Sequence, residues 1–238
     1  MSVTSRVLDL LGAYDEEHRS LTLTALARRA RLPLATAHRL VAELRQAGAL
    51  VRHESGEYVV GRRMWDLGLL APVETGLRQV ASPFLHDLYG ATLATVHLAV
   101  RDGTSVLYVE RVSGHSSVPV VSQVGSRLPM HATGVGKVLL AHAPEEVRAA
   151  AFENLTRVTA YTVTQPGRLH EQLRRVLADG YATTSEEMSL GACSVAVPVF
   201  DRRDAAVAAI GFVVPNLRQR GRLVSALRVA ARGIGRSL

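Results

Sequence analysis

The stretch Pro33–Gly48, PLATAHRLVAELRQAG, constrains the fold more strongly than any other part of the chain. Its apolar residues repeat at the i, i+3, i+4, i+7 spacing of a helix that packs on one face. They are Ala37, Leu40, Val41 and Leu44. The opposite face carries Ala35, Arg39, Ala42 and Gln46, flanked by Thr36 and His38. Its alanines allow close approach while the polar side chains reach outward, so we expect this face to enter a groove.

The residues around this helix predict a winged helix-turn-helix domain over residues 1–61. Ser5–Glu17 shows a helical apolar stripe, and SLTLTALARRA shows a second one, with Thr22 or Thr24 as its cap. Only RLPLA joins the second helix to the third, in which Pro33 suits the first turn, so the two must cross steeply. After Gly48, ALVRHESGEYVVG predicts a two-stranded wing, whose inward residues are expected to be Val51, Tyr58 and Val60.

The charge around the third helix favours an acidic partner. The chain carries a net charge of +7, and between Arg19 and Arg63 nine arginines stand against Glu43, Glu54 and Glu57. The major groove of DNA, about 12 Å wide, accepts one helix. A basic face that contacts only solvent, in a three-helix packing module, is the alternative.

Each residue type in this region suits a particular contact with DNA. Arg39 can form two hydrogen bonds to guanine, His38 and Gln46 can reach base edges, and Thr36 is placed for a phosphate. Contacts to the DNA backbone, which position the domain without reading sequence, are expected from residues at the turn and on the wing. The full predicted interface is Thr24, Arg28, Arg29, Arg31, Thr36, His38, Arg39, Gln46 and Arg52, with His53 beside it on the wing.

Three segments together resemble the signature regions of the IclR family of bacterial transcriptional regulators. They are LTLTALARRARLPLATAHRLVAELRQAGAL, RLPMHATGVGKVLLA and GYATTSEEMSLGACSVAVPVFD, and they occur in the family's order and spacing. The first segment alone is moderately specific, because many winged helices have similar sequences. The second and third make the resemblance cover nearly the whole chain.

Residues 62–76 resemble the family's linker helix, through which two subunits associate. RRMWDLGLLA is predicted to be helical, APVETG to break the helix, and LRQVASPFLHDLYG to resume it. Packing of Trp65 in the core of its own chain is the alternative for this apolar segment.

Residues 77–238 are predicted to form an α+β domain with an antiparallel sheet flanked by helices. ATVHLAVRDGTSVLYVERV contains two alternating runs around an Asp102-Gly103 turn, and SVPVVSQVG predicts another strand. Three helices follow in HATGVGKVLLAHA, APEEVRAAAF and PGRLHEQLRRVLADG, the last of which is predicted to end at Gly180. CSVAVPVFDRRDAAVAAIGFVVP predicts two strands around DRRD, and a helix from Arg218 to Ile234 closes the chain. The resemblance implies a GAF-like effector-binding fold.

The sequence of the second domain predicts neither a catalytic residue nor a cofactor. Gly134-Val135-Gly136-Lys137 has His131 where a phosphate loop needs glycine, and Val138 where it needs Ser or Thr. The nine histidines lack the spacing of metal ligands, so no metal is expected, although some members of the family hold one. Glu186 and Glu187 are expected to be solvated or to cap a turn rather than to act in acid-base catalysis.

The resemblance also implies a pocket for a small organic acid. The segment with Met130, Ala132, Gly134 and Val135 matches the one whose amides, at a helix N-terminus, suit a carboxylate. Thr184, Ser194, Gly211 and Val213 match positions that line the pocket from the sheet. Members that bind very small oxo-acids carry hydroxyls at the last two positions, so an aromatic or otherwise more apolar acid is expected here. The alternative is that Thr184 and Ser194 only satisfy buried backbone groups.

Composition places the chain in a reducing, aqueous compartment. No apolar run approaches the ~20 residues that span a bilayer, and the N-terminal residues lack the pattern of a signal peptide. Cys193 is the only cysteine, which excludes an internal disulfide. We therefore expect a cytoplasmic protein with no membrane partner.

These patterns predict a ligand-responsive regulator that binds palindromic double-stranded operator DNA as a homodimer or homotetramer. Two alternatives remain. The second domain could be an enzyme fused to a DNA-binding module, or the protein could be an architectural DNA binder whose second domain only forms oligomers. The sequence does not distinguish a repressor from an activator.

Overall fold

The computed structural model describes residues 2–15, 17–68, 70, 75–114, 118 and 121–238. The chain divides into two compact units, Met1–Pro72 and Val73–Leu238. In the described part of the chain, no helix is both long enough and apolar enough to cross a membrane.

The first unit contains a group of three helices: α1 (Val3–Leu11), α2 (Leu23–Arg29) and α3 (Leu34–Gln46). Thr22, the first of the two candidate caps, accepts a hydrogen bond from the Ala25 amide and begins α2. Helix α1 ends earlier than its apolar stripe suggests. The reason is local: the Asp15 carboxylate accepts hydrogen bonds from the Glu17 and His18 amides, at 3.0 and 2.8 Å, and stabilises a turn instead.

The turn between α2 and α3 depends on two residues with non-helical backbone. Arg31 adopts a left-handed conformation with φ of 54°, and the Leu32 amide donates to the Ala27 carbonyl oxygen at 2.9 Å. Pro33 has ψ of 140° and therefore precedes the first turn of α3, one residue earlier than predicted. This turn sets the crossing of the two helices.

The core of the first unit confirms the orientation predicted for α3. Ala37, Leu40 and Val41 are buried with Leu10 of α1 and Leu26 of α2. The residues predicted to face outward are exposed: Ala35, Arg39, Ala42 and Gln46.

The wing consists of β2 (Leu50–Arg52) and β3 (Tyr58–Val60), and β1 (Ser20–Leu21) completes a sheet of order β1-β3-β2. Tyr58 is buried as predicted, but Val51 and Val60 are 48% and 47% exposed, so the prediction for them is wrong. Leu50 is buried instead. Alternation along β2 turns Val51 to the solvent side, and Val60 is the last residue of β3.

Helix α4 (Arg62–Gly68) is the last described element of the first unit, and Leu70 is the one residue described after it. Trp65 is 66% exposed, and Leu67 and Leu70 are also exposed, so Trp65 is not packed in the core of its own chain. The predicted break at 71–76 lies largely outside the described residues.

An antiparallel sheet of order β6-β5-β4-β9-β8-β7 is the centre of the second unit. Its strands are β4 (Thr95–Asp102), β5 (Ser105–Val112), β6 (Arg127–Pro129), β7 (Ala182–Ser185), β8 (Cys193–Phe200) and β9 (Ala206–Val214). The turn after Asp102 is confirmed, with Gly103 at φ of 60°. The strand expected at residues 117–125 is wrong for the described part of that range. There, Gly125 makes a turn at φ of 92°, and the strand that pairs with β5 begins only at Arg127.

Helices cover both faces of this sheet. On one face lie α5 (Thr75–Thr92) and α9 (Arg220–Ser237), packed against Val96, Leu98 and Val100. On the other lie α6 (Gly134–Ala141) and α8 (Pro166–Asp179), packed against Ala99, with α7 (Glu145–Phe152) between them in sequence. Odd-numbered residues at this end of β4 therefore face α6. The second unit is the predicted α+β domain.

Candidate functional site

The outward face of α3 and the wing form one basic surface. Residues predicted to contact DNA are exposed at eight positions: Thr24, Arg28, Arg29, Arg31, His38, Arg39, Gln46 and Arg52. Thr36 is partly exposed. A groove between α3 and β2 is lined by Ala42, Arg45, Gln46, Leu50, Val51 and Arg52. Arg45 was missing from the prediction, although its position one residue before Gln46 could have suggested it.

Arg29 and Arg52 make contacts inside the domain that orient their side chains. Arg29 donates from Nε to the Ala13 carbonyl oxygen at 2.7 Å, and its Nη2 contacts the Asp15 carboxylate. It therefore holds the end of α1 against α2, a role that the sequence did not indicate. Arg52 lies over the Tyr58 ring, 5.9 Å from its centroid, which orients the arginine on the wing.

Arg39 forms one ion pair among the described residues, and this pair is weak. Its Nη1 lies 3.9 Å from the Glu43 carboxylate, and both side chains are exposed. Such a pair contributes at most about 1 kcal/mol in water. The guanidinium can therefore exchange this partner for a base edge at little cost.

The second unit contains a cavity of about 50 Å³ between the start of α6 and the sheet. Six residues predicted for the effector site line it: Gly134, Val135, Thr184, Ser194, Gly211 and Val213. Met130 and Ala132 do not. They belong to a short 3-10 helix before α6 and are buried outside the cavity lining, because this helix turns Met130 into the core between α6 and α8.

One end of the cavity combines a helix N-terminus with two hydroxyls. Thr133 caps α6 by accepting a hydrogen bond from the Gly136 amide at 3.1 Å. Thr184 Oγ1 and Ser194 Oγ lie 2.6 Å apart. A Cβ at Gly134 would lie only 2.5 Å from Ser194 Oγ, so glycine brings this hydroxyl against the first turn of α6. Amides at a helix start and nearby hydroxyls suit an anion.

Around Gly211, the sheet side of the cavity is apolar and has no room for a larger side chain. A Cβ at Gly211 would lie 2.8 Å from the Val195 carbonyl oxygen and 3.0 Å from Ala196 Cβ. A serine at this position would therefore require the sheet or α6 to move. Gly211 and Val213 leave a flat, apolar surface beside the polar end.

The cavity residues that the sequence analysis missed include three polar side chains next to one another: His97, Tyr108 and Ser122. His97 Nε2 lies 2.9 Å from Ser122 Oγ, and the His97 ring packs edge-on against Tyr108. Burial, and then the charge of Arg111, lower the pKa of His97 to about 3, so the ring is neutral. Burial also raises the pKa of Tyr108. A single histidine in an apolar strand gave no signal in the sequence.

A buried ion pair lies beside the cavity. Lys137 Nζ is 2.5 Å from Glu187 Oε1, and the two residues are 1% and 5% exposed. Burial lowers the pKa of Lys137, and the Glu187 charge opposes this effect. The expectation of a solvated Glu187 is wrong, because the fold packs α6 against its loop. Glu186 does stabilise a turn, since its carboxylate accepts from the Gly191 amide at 2.7 Å.

This ion pair connects α6 to the loop between β7 and β8. That loop supplies Met188, Ser189 and Ala192 to the cavity lining. Among the described residues, no three His, Cys, Asp or Glu side chains are grouped as metal ligands.

Comparison with known proteins assigns both units. Residues 3–54 match the family described as the IclR helix-turn-helix domain, and residues 71–236 match the bacterial transcriptional regulator IclR C-terminal family. The HTH-type transcriptional regulator KdgR of Dickeya chrysanthemi is 30% identical over 98% of this chain and 79% of its own. The transcriptional repressor IclR of Escherichia coli is 31% identical over 90% of this chain and 80% of its own.

A solved structure resembles the whole chain. It is an IclR homolog from Microbacterium hydrocarbonoxydans in complex with 4-hydroxybenzoate. The two proteins are 35% identical, the match covers 100% of this chain and 99% of the other, and the TM-score is 0.93.

Proposed function

The chain belongs to the IclR family of bacterial transcriptional regulators, and we propose that a small organic acid controls its affinity for operator DNA. The observation that carries this proposal is the cavity between α6 and the sheet. It joins an anion-binding helix start to an apolar surface within a regulator that also has an exposed basic recognition helix. The family consists of regulators, not enzymes.

The proposed effector is an aromatic or otherwise apolar monocarboxylate, larger than glyoxylate or pyruvate. The cavity of about 50 Å³ would have to widen to take it, since a cavity of about 150 Å³ holds one benzene ring. The amides at the start of α6, with Ser194 and Thr184, supply donors for one carboxylate. At Gly211 and Val213 this chain presents apolar surface to the cavity, where family members that bind very small oxo-acids carry hydroxyls. The 4-hydroxybenzoate bound by the Microbacterium homolog supports this class of ligand.

The DNA site is proposed to be a palindrome read by a homodimer or homotetramer in the cytoplasm. Two-fold proteins read two-fold sites whose halves lie about one helical turn apart. The exposed apolar side chains of α4, Trp65 and Leu67, suit association of two copies through this helix. Arg39 would read bases, while Arg28, Arg31 and Arg52 would contact the DNA backbone.

Coupling between the two sites is reciprocal. An acid that weakens DNA binding must itself bind less tightly to the DNA complex, by the same factor. An architectural DNA binder, the alternative, would respond to salt and to no metabolite.

The experiment that tests this proposal measures both affinities on the full chain. The operator is first selected from random DNA, and its affinity is measured with and without benzoate, 4-hydroxybenzoate and pyruvate. We expect an aromatic acid to change operator affinity and to raise the melting temperature, by mass action. If none of the three acids alters either quantity while DNA still binds, the proposed effector class is wrong, and the result favours the architectural alternative. Micromolar binding of pyruvate would contradict the apolar effector.

The DNA assignment makes a residue-level prediction. Arg39→Ala should cost about 1–3 kcal/mol at the operator and relax specificity at one base, because a bidentate contact is lost. Arg52→Ala should weaken operator and random DNA about equally, since a phosphate contact carries no sequence information. Competition binding against random duplex measures both. Equal losses for both DNAs in Arg39→Ala would show that Arg39 does not read a base.

A further inference from the structure

Positive charge is concentrated a second time in the last part of the sequence. Residues 201–238 contain eight arginines and two aspartates, and no lysine, histidine or glutamate. This balance of +6 equals that of the region between Arg19 and Arg63, although the whole chain carries only +7. The remaining residues are therefore net acidic, and the second basic region is not part of a uniformly basic protein.

Three of these arginines lie along the exposed face of α9. The buried face of this helix, with Leu223, Leu227 and Ile234, packs against the sheet. The opposite face follows the i, i+3, i+4 spacing of one helical stripe, and its residues are all exposed: Arg222, Ser225, Val229, Arg232 and Arg236. From Arg222 to Arg236 the helix rises about 21 Å. The face is therefore long and straight, with guanidinium groups near both ends.

These guanidinium groups lack carboxylate partners. Among the described residues, none of the eight arginines in 201–238 takes part in an ion pair. By contrast, Arg174 and Arg175 on the neighbouring surface of α8 both pair with Glu171. The exposed face of α9 therefore presents charge that the described part of the chain does not neutralise.

A groove of about 460 Å³ lies beside this face, between α9 and the turn that joins β8 to β9. Its charged lining residues are Arg202, Arg228, Arg232, Arg236, Asp201 and Asp204. Arg202 donates to the Arg236 carbonyl oxygen at 3.1 Å, and Arg228 donates to the Asp179 carbonyl oxygen at 2.5 Å. Asp201 accepts from two amides of its own turn, at 2.8 and 2.9 Å. These bonds fix the turn against α9 and leave the positive charge of the groove in excess.

A phosphate backbone fits this surface better than a protein or a small anion does. The centre of a protein interface is rich in apolar and aromatic anchors, whereas α9, which is described throughout, exposes one large apolar side chain, Val229. A second copy of the chain placed on the same surface by a two-fold axis would bring like charges together. A small anion would reach few of the guanidinium groups. Duplex DNA carries a phosphate about every 3.4 Å along each strand, and it is the polyanion that a transcriptional regulator meets.

We propose that the exposed face of α9, with Arg222, Arg232 and Arg236, binds the phosphate backbone of duplex DNA outside the operator. Phosphate contacts carry no sequence information, so this face adds affinity and salt dependence without specificity. The inference goes beyond the proposed function, in which only the first unit contacts DNA.

The first test measures the affinity of the full chain for a long random-sequence duplex over a range of salt concentrations. The α9 variant is Arg222→Gln/Arg232→Gln/Arg236→Gln. The control, Arg168→Gln/Arg174→Gln/Arg175→Gln, removes the same charge from exposed arginines of α8. Each neutralised phosphate contributes about 0.9 to the slope of log K against log salt concentration. We therefore expect the α9 variant to reduce this slope by about 2–3 for each protomer bound, and the control to leave it unchanged.

A second measurement does not depend on removing charge. Val229 is 64% exposed at the centre of the α9 face, and Leu177 is 52% exposed on α8. Each is replaced by cysteine in turn and modified with a photoreactive aryl azide, which the buried Cys193 does not take up. On illumination we expect labelled duplex to be recovered on Val229→Cys and not on Leu177→Cys.

Equal slopes for the wild type and the α9 variant would overturn this inference. The same loss in the α9 and α8 variants would also overturn it, because net charge alone would then explain the effect. If no duplex is crosslinked at Val229, the face does not bind DNA and is left for an acidic protein. The proposed function stands in each of these cases, since Arg39 and the effector cavity are unchanged in every variant. If the α9 variant fails to fold, the crosslink at Val229 decides.

Discussion

Replacing Lys137 by methionine would test how the buried ion pair supports the ligand cavity. The substitution keeps most of the side-chain volume but leaves the Glu187 carboxylate buried without its cation. Among the described residues, the Glu187 carboxylate has one other polar contact: its Oε2 accepts from the Val163 amide at 3.4 Å, which is too weak to compensate a charge.

Breaking one half of such a pair costs about 3–5 kcal/mol of the free energy of unfolding. For a domain of this size each kcal/mol lowers the melting temperature by about 2–4 °C, so Lys137→Met should melt roughly 6–20 °C lower. The loop that carries Met188 and Ser189 would lose its attachment to α6, and ligand affinity should fall as well.

The second half of the experiment is a double-mutant cycle. Glu187→Gln keeps an acceptor for the Val163 amide and removes the charge, so Lys137→Met/Glu187→Gln has no uncompensated ion. We expect the double variant to be more stable than Lys137→Met alone, because replacing a whole buried pair is often neutral or favourable. Thermal unfolding at pH 7, followed by circular dichroism, measures all four proteins. Additive losses in the double variant would refute the reasoning.

Two further predictions concern the same domain. Gly134→Ala should lower the melting temperature and abolish binding of aromatic carboxylates, because its Cβ would lie 2.5 Å from Ser194 Oγ. Adding Ser194→Ala should restore the melting temperature but not binding. Calorimetry can check both results. Stability should also fall as pH decreases from about 6.5 towards 3. Burial lowers the pKa of His97 to about 3 in the folded state. Between about pH 6.5 and 3 the unfolded chain therefore binds a proton that the folded chain does not. The free energy of unfolding falls by at most about 1.4 kcal/mol per pH unit as a result. In His97→Gln, the free energy of unfolding should fall less steeply with decreasing pH than in the control variant His170→Gln, which changes an exposed histidine. Equal slopes in the two variants would contradict the lowered pKa of His97.

The sequence by itself determined the helices and turns whose signals are local. The 3.6-residue period fixed which face of α3 is buried, with Leu40 inside and Arg39 outside, because a helix keeps that relation in any packing. Gly103 and Gly180 were predicted as a turn and a helix end, and both adopt positive φ. The three signature segments were sufficient to indicate the family.

Predictions failed where the pairing of strands had to be inferred from a local sequence pattern. The two strands of the wing were predicted, but their register was not: it puts Leu50, not Val51, on the same face as Tyr58, so Leu50 is buried. Residues 117–125 have the composition of a strand, yet Gly125 turns the chain before it pairs with β5 at Arg127.

Only the tertiary structure decided the chemistry of the cavity. Lys137 and Glu187 are fifty residues apart in sequence, and His97 and Ser122 are twenty-five apart. Periodicity reports which side of an element is apolar, but the pairing of charges and hydroxyls depends on which elements pack together, and that is decided by the fold as a whole.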